Sequence, residues 1–205
     1  MIDIVGASFM TSAPNLSLSP PNELQNEVAF MARSNAGKSS LLNALTDHKN
    51  LAKVSSTPGK TRLINYFDAA IIDRERGVKL PIKLVDLPGF GYAKVSKSML
   101  GDWEKNLTQF IAEREQLKLF VHLIDSRHTD LEIDKSVRTY LELHCREEQT
   151  IVQVFTKSDK LNQKELSALK RKYPDALIVS SSKKRGLDAL KKQIFGFLQR
   201  EVSGD

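Results

Sequence analysis

The feature that most constrains the fold of this chain is the segment 28–40, which reads VAFMARSNAGKSS. Its apolar first part has the composition of a buried strand, and its polar second part contains a glycine and ends in GKSS. The leucines that follow, Leu41, Leu42 and Leu45, stand at helical spacing. A strand, a tight loop and a helix in this order are the context of a phosphate-binding P-loop, so the segment predicts a nucleotide site.

The residue types in this loop suit phosphate chemistry. Backbone N–H groups of such a loop and of the first helical turn bind phosphate oxygens, and Gly37 lets the backbone curl closely around them. Lys38 can reach the β- and γ-phosphates, and the Ser39 hydroxyl can ligate Mg²⁺. The motif as usually written begins with glycine. This chain has Ala32 there, which is small enough to keep the prediction.

Length, cysteine content and the lack of a long apolar run favour a single-domain intracellular protein over a secreted or membrane protein. The 205 residues, 40% of them hydrophobic, suffice for one domain with a buried core. The single cysteine, Cys145, allows no internal disulfide and favours a reducing compartment. Residues 1–15 do not look like a signal peptide, and no apolar run approaches the roughly 20 residues of a membrane span. We therefore expect a cytoplasmic protein without membrane insertion, and we expect it to be a monomer.

The net charge of +6 is unevenly distributed along the chain. Residues 1–150 contain 19 Lys and Arg against 19 Asp and Glu, whereas residues 151–205 contain 12 against 6. A localised basic surface favours a polyanionic partner such as RNA. A solvated surface of lysine-rich helices would give the same count, and on charge alone both interpretations stay open.

Apolar runs that alternate with helical patterns predict an α/β domain, in which a mainly parallel sheet is covered by helices on both faces. Two of the runs, 63–72 and 78–85, are separated by only five residues. Because that is too few for a crossover helix, they are expected to form an antiparallel hairpin. We expect a six-stranded sheet with one antiparallel edge strand. The expected strands are 27–31, 63–72, 78–85, 119–124, 151–155 and 176–179, and the expected helices are 38–46, 98–115, 132–145, 163–172 and one that begins at 187.

The N-terminal region looks different from the rest. Residues 1–26 contain Pro14, Pro20 and Pro21 together with several Ser and Asn. We expect an irregular lead-in packed on the domain, with a short extended piece near 3–9. The domain itself is expected to span residues 27–202.

Polar segments follow the predicted strands at 32–40, 86–89, 156–159 and 180–182, and the carboxyl ends of strands are where such sheets bind ligands. Asp86 ends its strand where nucleotide enzymes place a carboxylate near Mg²⁺. Gly89 can bring its backbone N–H close to a γ-phosphate, because it has no side chain. In the third segment, Asp159 can accept hydrogen bonds from N1–H and N2–H₂ of guanine, a donor pattern that adenine lacks, and the Lys157 stem can lie along the base. Together the segments predict a guanine nucleotide site.

These motifs, taken in order, resemble those of the translation-factor class of P-loop GTPases. More narrowly, the strings RSNAGKSS (33–40), TPGKT (57–61), DLPGFGYA (86–93) and TKSD (156–159) resemble the EngB (YihA/YsxC) family of bacterial ribosome-biogenesis GTP-binding proteins. The resemblance covers residues 5–200. The chain departs from the family pattern at Ala32, where glycine is expected, and at Lys60, where arginine is expected. Neither departure removes a charge or a ligand that the chemistry needs.

The resemblance implies a P-loop GTPase G domain with GTP or GDP as its ligand and Mg²⁺ as its cofactor. Ser39 and Thr61 would ligate the metal, residues 59–63 would form the first switch, and Lys38, Thr61 and Gly89 would be catalytic. The nucleotide-contacting residues expected in all are Ala32, Arg33, Ser34, Asn35, Ala36, Gly37, Lys38, Ser39, Ser40, Gly59, Lys60, Thr61, Arg62, Leu63, Asp86, Leu87, Pro88, Gly89, Thr156, Lys157, Ser158, Asp159, Val179, Ser180 and Ser181.

The residue after the DLPG motif is Phe90, in place of the glutamine with which many GTPases orient the attacking water. Because phosphoryl transfer to water depends on positioning and charge neutralisation, we expect slow intrinsic hydrolysis, on the order of 10⁻³ s⁻¹ or below. Asn35 resembles a P-loop asparagine that in related GTPases helps to hold K⁺ beside the phosphates. Capping of the loop is the alternative role for this residue.

The resemblance also implies a nucleotide switch in large ribosomal subunit assembly, needed for normal cell division and septation. The GTP state would order residues 55–63 and 90–96, and hydrolysis would release them. The basic C-terminal quarter would contact rRNA of the large subunit or its precursors. The basic clusters proposed for this contact are 170–172, 183–185 and 191–192.

Two other function classes stay open. An ATP-dependent kinase or ATPase would need a phosphoryl acceptor site and would leave the TKSD motif unexplained. A GTP-dependent interaction protein at the division septum would have no direct ribosome role. Competition of ATP with GTP would support the first, and binding to division proteins with indifference to ribosomes would support the second.

Overall fold

The computed structural model describes residues 1–21, 25–52, 63–90 and 97–203, with the backbone alone for 97–100 and 201–203. This part of the chain contains seven strands and five α-helices. The strands are β1 (Ile2–Ala13), β2 (Asn26–Ala32), β3 (Ile64–Asp73), β4 (Val78–Asp86), β5 (Leu117–Asp125), β6 (Thr150–Thr156) and β7 (Leu177–Ile178). The helices are α1 (Lys38–Leu45), α2 (Lys97–Glu113), α3 (Glu132–His144), α4 (Gln163–Lys172) and α5 (Leu187–Ser203).

The strands form one sheet in the order β1-β3-β4-β2-β5-β6-β7. β2 pairs in parallel with both β4 and β5, and the parallel pairing continues through β6 to β7. β3 runs antiparallel to its two neighbours, β4 and β1. The predicted hairpin and the mainly parallel sheet are therefore confirmed.

Helices cover both faces of the sheet. On one face, leucines of α1 and α5 such as Leu42 and Leu190 are fully buried in a large apolar cluster. On the other face, α2 and α3 bury Phe110 and Leu141 in a second cluster. β5 reads as a nearly continuous apolar run because both of its faces are covered. Each such side chain contributes about 1.5–3 kcal/mol through burial.

The N-terminal segment differs from the prediction. Instead of an irregular lead-in, residues 2–13 form β1, which pairs along its length with β3, from Ile2 opposite Asp73 to Ala13 opposite Ile64. The sheet therefore has seven strands in the described residues rather than six. The antiparallel strand β3 lies second from the edge rather than at it. β1 thus belongs to the same sheet as the strands of the expected domain.

The irregularity of β1 explains why its sequence pattern is weak. Its register shifts between Val5 and Ser8 and again between Phe9 and Thr11. Gly6 adopts a φ of +64° within this strand. Such bulges interrupt the alternation of buried and exposed residues by which a strand is recognised. Only the short extended piece expected near 3–9 is recovered from the sequence.

The remaining helix and strand bounds agree with the predicted ones to within two residues. The end of α2 is fixed by a buried ion pair, in which Arg114 Nη2 lies 2.6 Å from Glu27 Oε1 near the start of β2. Arg114 also donates to the carbonyl of Pro20 at 2.8 Å, which ties the N-terminal segment to the sheet. Across the described ranges, no helix has both the length and the apolar character needed to cross a membrane.

Candidate nucleotide-binding site

The P-loop connects the end of β2 to the start of α1. Within it Asn35 has a φ of +64° and Gly37 a φ of +97°. The conformation of Gly37 favours glycine, and this residue caps α1 without a side chain. The first helical N–H groups of α1 therefore receive no side-chain cap hydrogen bond from it. Free N–H groups at a helix start form a binding site for anions such as phosphate.

Two charged residues meet beside this helix start. The Lys38 ammonium pairs with the Asp86 carboxylate at the end of β4, and both side chains are largely buried. Strand pairing explains the meeting, since Phe30 of β2 lies opposite Asp86 in register. Ser39, the next residue of α1, is half-buried. A hydroxyl and a carboxylate next to phosphate oxygens form the all-oxygen ligand set that Mg²⁺ prefers, so these residues fit the metal that the sequence resemblance implies.

The side chain of Arg33 points to α3 instead of adding to this cluster. Its Nε donates to Asp134 Oδ2 at 3.2 Å, and its Nη2 lies 3.9 Å from Asp125 Oδ2. Burial raises the pKa of Asp134 above its ordinary value, while the attraction of Arg33 opposes that shift. Arg33 can thus contact a nucleotide through its backbone, and its side chain anchors the loop to α3. Sequence reasoning missed Asp134.

The TKSD segment is bonded directly to the P-loop. Thr156 Oγ1 donates to the carbonyl of Ala36 at 2.5 Å, and Lys157 Nζ donates to the carbonyl of Asn35 at 2.5 Å. Lys157 has a φ of +58°, a left-handed conformation that costs a non-glycine residue roughly 1–2 kcal/mol. The segments predicted to bind phosphate and guanine therefore share one edge of the sheet and contact each other.

Asp159 is oriented by the loop after β7. Ser180 Oγ donates to Asp159 Oδ1 at 2.6 Å and accepts a hydrogen bond from the N–H of Lys183 at 3.1 Å. The hydrogen bond from Ser180 is the main cause that lowers the pKa of Asp159. The backbone also links the two segments, because the N–H of Ser158 donates to the carbonyl of Val179 at 3.1 Å.

The DLPG segment follows the end of β4 and lies against the P-loop. A Cβ at Gly89 would lie 3.0 Å from Ser34 Oγ, so this close approach favours glycine. The N–H of Phe90 donates to the carbonyl of Ala32 at 2.9 Å. The Phe90 ring packs against Trp103 and Tyr140, with centroid distances of 5.8 and 5.3 Å. Phe90 is therefore fixed among the apolar side chains of α2 and α3.

Part of the predicted site lies outside the described residues. This applies to Gly59, Lys60, Thr61 and Arg62, and so to the second predicted metal ligand. Leu63, which precedes β3, is 39% exposed. Asn65 was not predicted. Its Nδ2 lies 3.5 Å from Asp86 Oδ2, and it sits opposite Asp86 in the β3–β4 pairing. In the described ranges, no group of three or more His, Cys, Asp or Glu side chains could hold a metal ion.

Comparison with known sequences agrees with this geometry. The family model described as 50S ribosome-binding GTPase matches residues 27–157. The chain is 54% identical over 196 residues to the probable GTP-binding protein EngB of Aliarcobacter butzleri, covering 95% of this chain and 98% of that protein. It is 48% identical over 194 residues to the probable GTP-binding protein EngB of Wolinella succinogenes, covering 95% and 96% of the two chains.

Solved structures share the fold at lower identity. A crystal structure of a probable GTP-binding protein engB has a TM-score of 0.58 at 21% identity and covers 85% of this chain and 99% of that chain. The structure of Era in complex with MgGDPNP and nucleotides 1506–1542 of 16S ribosomal RNA has a TM-score of 0.60 at 22% identity, covering 84% and 56%. These similarities confirm the P-loop GTPase G-domain fold expected from the sequence.

Proposed function

Since this chain belongs to the EngB family of GTP-binding proteins, whose members are P-loop GTPases, we propose that it is a slow, Mg²⁺-dependent nucleotide switch in large ribosomal subunit assembly. Two matches support the ribosomal part of this proposal. The matching family model is described as 50S ribosome-binding, and Era, a neighbour in fold, was solved with a piece of ribosomal RNA. A role in cell division and septation would then follow from the supply of ribosomes.

The observation that carries the nucleotide part is the meeting of three segments at one edge of the sheet. Lys38 reaches Asp86, Thr156 bonds to the carbonyl of Ala36, and Lys157 bonds to that of Asn35. These contacts place the start of α1, which suits phosphate, next to the TKSD segment, which suits guanine. They favour GTP over ATP, because the carboxylate of Asp159 matches the two donors of guanine.

We propose the following roles for residues at this edge. Lys38 leaves Asp86 to bind the β- and γ-phosphates, and the N–H of Gly89 contacts the γ-phosphate. Ser39 and Thr61 hold Mg²⁺, which neutralises charge on the phosphates when bound. The Ser39→Ala variant should therefore lose the Mg²⁺ dependence of GTP binding. A titration of fluorescent GTP with and without a chelator measures this, and an unchanged dependence would contradict the role of Ser39.

We propose that hydrolysis is slow because Phe90 cannot orient water. The packing of its ring against Trp103 and Tyr140 supports this, since it holds the side chain among apolar neighbours. Positive charge from K⁺ held beside Asn35 could raise the rate. Turnover should then be faster in K⁺ than in Na⁺ at equal ionic strength, and the difference should vanish in the Asn35→Ala variant. Equal rates in the two salts would remove K⁺ from the mechanism.

The proposed RNA contact involves the basic residues of the C-terminal quarter. In the described part of the chain, Lys170, Arg171, Lys183 and Arg185 are exposed and form no ion pair, whereas Lys172 pairs with Asp130. Unpaired cations release the most counterions on binding phosphates. Reversing Lys183 to glutamate should weaken binding to ribosomal particles more than reversing Lys172 to glutamate. Equal binding by both variants would argue against this surface.

We further propose that the chain acts as a cytoplasmic monomer. Its only cysteine, Cys145, is half-buried, and burial raises the pKa of its thiol to about 11, which fits an unreactive side chain in a reducing compartment. The competing proposal, a GTP-dependent interaction at the division septum without ribosomes, predicts nucleotide-dependent capture of division proteins. Sedimentation with ribosomal fractions separates the two.

A further inference from the structure

Asp125, the last residue of β5, is an acidic group that the proposed function leaves without a role. Its side chain is only 1% exposed. Its Oδ2 accepts hydrogen bonds from Lys157 Nζ at 2.9 Å and from Arg127 Nη2 at 2.7 Å. Its Oδ1 accepts from the backbone N–H of Arg127 at 3.1 Å and from Arg127 Nε at 3.0 Å. These hydrogen bonds come from Arg127, two residues along the chain, and from Lys157, and Arg33 Nη2 of the P-loop lies farther off, 3.9 Å from Oδ2.

The pairing of β5 with β6 places Asp125 beside Lys157. In the parallel pairing of β5 with β6, Asp125 lies opposite Thr156, the residue that precedes Lys157. The N–H of Ser126 also donates to the carbonyl of Thr156 at 3.0 Å. The two strand ends are therefore held side by side by the backbone, and the register sets which residues meet.

The Lys157 ammonium lies between two acceptors. One is the carboxylate of Asp125, and the other is the P-loop carbonyl of Asn35 at 2.5 Å. A lysine side chain is long and flexible, so a single carbonyl would hold it poorly. An ionised carboxylate gives a stronger, charge-assisted hydrogen bond. Asp125 is the only carboxylate in the described residues that forms an ion pair with Lys157.

Asp125 keeps its charge despite its burial. Burial by itself would raise its pKa, but the hydrogen bonds from Arg127 and Lys157 lower the pKa well below the ordinary range. Arg127 is 42% exposed, and its side-chain hydrogen bonds within the described ranges go to Asp125. The connection from β5 to the P-loop through the Lys157 ammonium therefore depends on Asp125.

We propose that Asp125 is a positioning residue for guanine nucleotide binding. Its buried carboxylate holds the Lys157 ammonium against the P-loop carbonyl of Asn35, so that the phosphate loop and the guanine-binding segment are held together. The inference rests on the proposed nucleotide site and adds a residue that acts through Lys157 without touching the nucleotide.

The first test measures release of fluorescent GDP from the Asp125→Asn variant. We expect release about 10-fold faster than from the wild type. Inosine diphosphate should be released faster by the same factor, because the 2-amino group that inosine lacks is recognised by Asp159. The matched control is Asp130→Asn, which removes a carboxylate from the same loop whose partner, Lys172, lies outside the site. It should release GDP at the wild-type rate.

A double-mutant cycle with Lys157→Met separates positioning from general stability. If Asp125 acts through Lys157, adding Asp125→Asn to Lys157→Met should change the GDP release rate less than about twofold. An undiminished effect in that background, or wild-type release from Asp125→Asn alone, would overturn the proposal. If Asp125→Asn does not fold, Asp125→Glu replaces it in the same cycle, since it keeps the charge and displaces the carboxylate.

Failure of this inference is distinct from failure of the proposed function. If wild-type protein binds no guanine nucleotide, the proposed site is wrong. If it binds GDP tightly and Asp125→Asn releases GDP equally slowly, the site stands and only the role of Asp125 is wrong.

Discussion

At the scale of single residues, the proposed base-binding end of the site depends on the orientation of one carboxylate. Asp159 receives a 2.6 Å hydrogen bond from Ser180, and Ser180 is itself held by the N–H of Lys183. Only one oxygen of Asp159 is used by Ser180, which leaves acceptor capacity for a base with two adjacent donors. The preference for guanine is therefore expected to depend on the acceptor character of this side chain.

The Asp159→Asn variant tests this dependence. An amide replaces one acceptor with a donor, which suits the carbonyl at position 2 of xanthine better than the amino group of guanine. We expect the affinity for GDP to fall about 10- to 100-fold, the loss that follows from removing charge-assisted hydrogen bonds. The affinity for xanthosine diphosphate should rise. Competition titrations with both nucleotides measure the change, and an unaltered preference would exclude Asp159 from base recognition.

The burial of His122 in β5 predicts that the free energy of unfolding depends on pH, whether or not a nucleotide is bound. His122 is fully buried, and neither ring nitrogen has a hydrogen-bond partner in the described part of the chain. Its pKa is lowered to about 4, mainly by burial and in smaller part by Arg138 on α3, while Glu142 opposes the shift. Because the folded pKa lies below the unfolded value, the neutral ring stabilises the fold fully above pH 6.5. That stabilisation is lost as the pH falls towards 4.

The measurement is urea unfolding of the wild type and of His122→Leu at pH 7 and pH 5. Between these values the wild type should lose about 2 kcal/mol of unfolding free energy through His122 alone. The leucine variant should lose less by that amount, because it has no ring to protonate. Parallel losses in the two proteins would show that His122 does not titrate in this range.

At the scale of elements, the loop between β7 and α5 depends on Gly186. Its φ is +72°, and a Cβ there would lie 2.3 Å from the carbonyl oxygen of Ile178. This tight turn allows Ser180 and Arg185 to exchange two backbone hydrogen bonds, at 2.9 and 3.0 Å. These two hydrogen bonds place Ser180 beside Asp159. The backbone conformation of Gly186 therefore affects the segment that is proposed to bind the base.

Gly186→Ala should lower the free energy of unfolding by at least about 2 kcal/mol, from the left-handed conformation and the contact with backbone. It should also weaken GDP binding. Gly196→Ala is the matched control, because a Cβ at this position of α5 has no neighbour within 4 Å. In a helix interior that change should stabilise by up to about 1 kcal/mol. Denaturant unfolding measures the stability of both variants. Equal stability would contradict the role assigned to Gly186 in this turn.

The elements also show what the sequence can predict. Strands with long apolar runs and helices with regular spacing were found to within two residues, because those patterns are local. The motifs at the strand ends were found for the same reason. β1 was largely missed, since its bulges and Gly6 interrupt the alternation. Asp125 and Asp134 were missed because Lys157 and Arg33, which link them to the candidate site, come from other strands and loops, and one sequence contains no sign of those pairings.

At the scale of the whole molecule, the proposed nucleotide site and the basic residues of the C-terminal quarter are neighbours. The strand ends around the P-loop form the candidate nucleotide site, and exposed basic residues of the C-terminal quarter suit a polyanion. Lys183 and Arg185 belong to the same loop that orients Asp159 through Ser180. Nucleotide binding and RNA contact are therefore close enough along the chain for one to influence the other, as the proposed switch requires.

Sedimentation of the full chain with ribosomal fractions, in GDP and in a non-hydrolysable GTP analogue, tests the proposed switch most directly. We predict that the protein comigrates with large-subunit particles in the analogue and stays in the supernatant in GDP. Release by moderate salt would agree with phosphate contacts. Absence from the particles in both nucleotide states would contradict a ribosomal role. The family membership would stand, and the partner would have to be sought among division proteins.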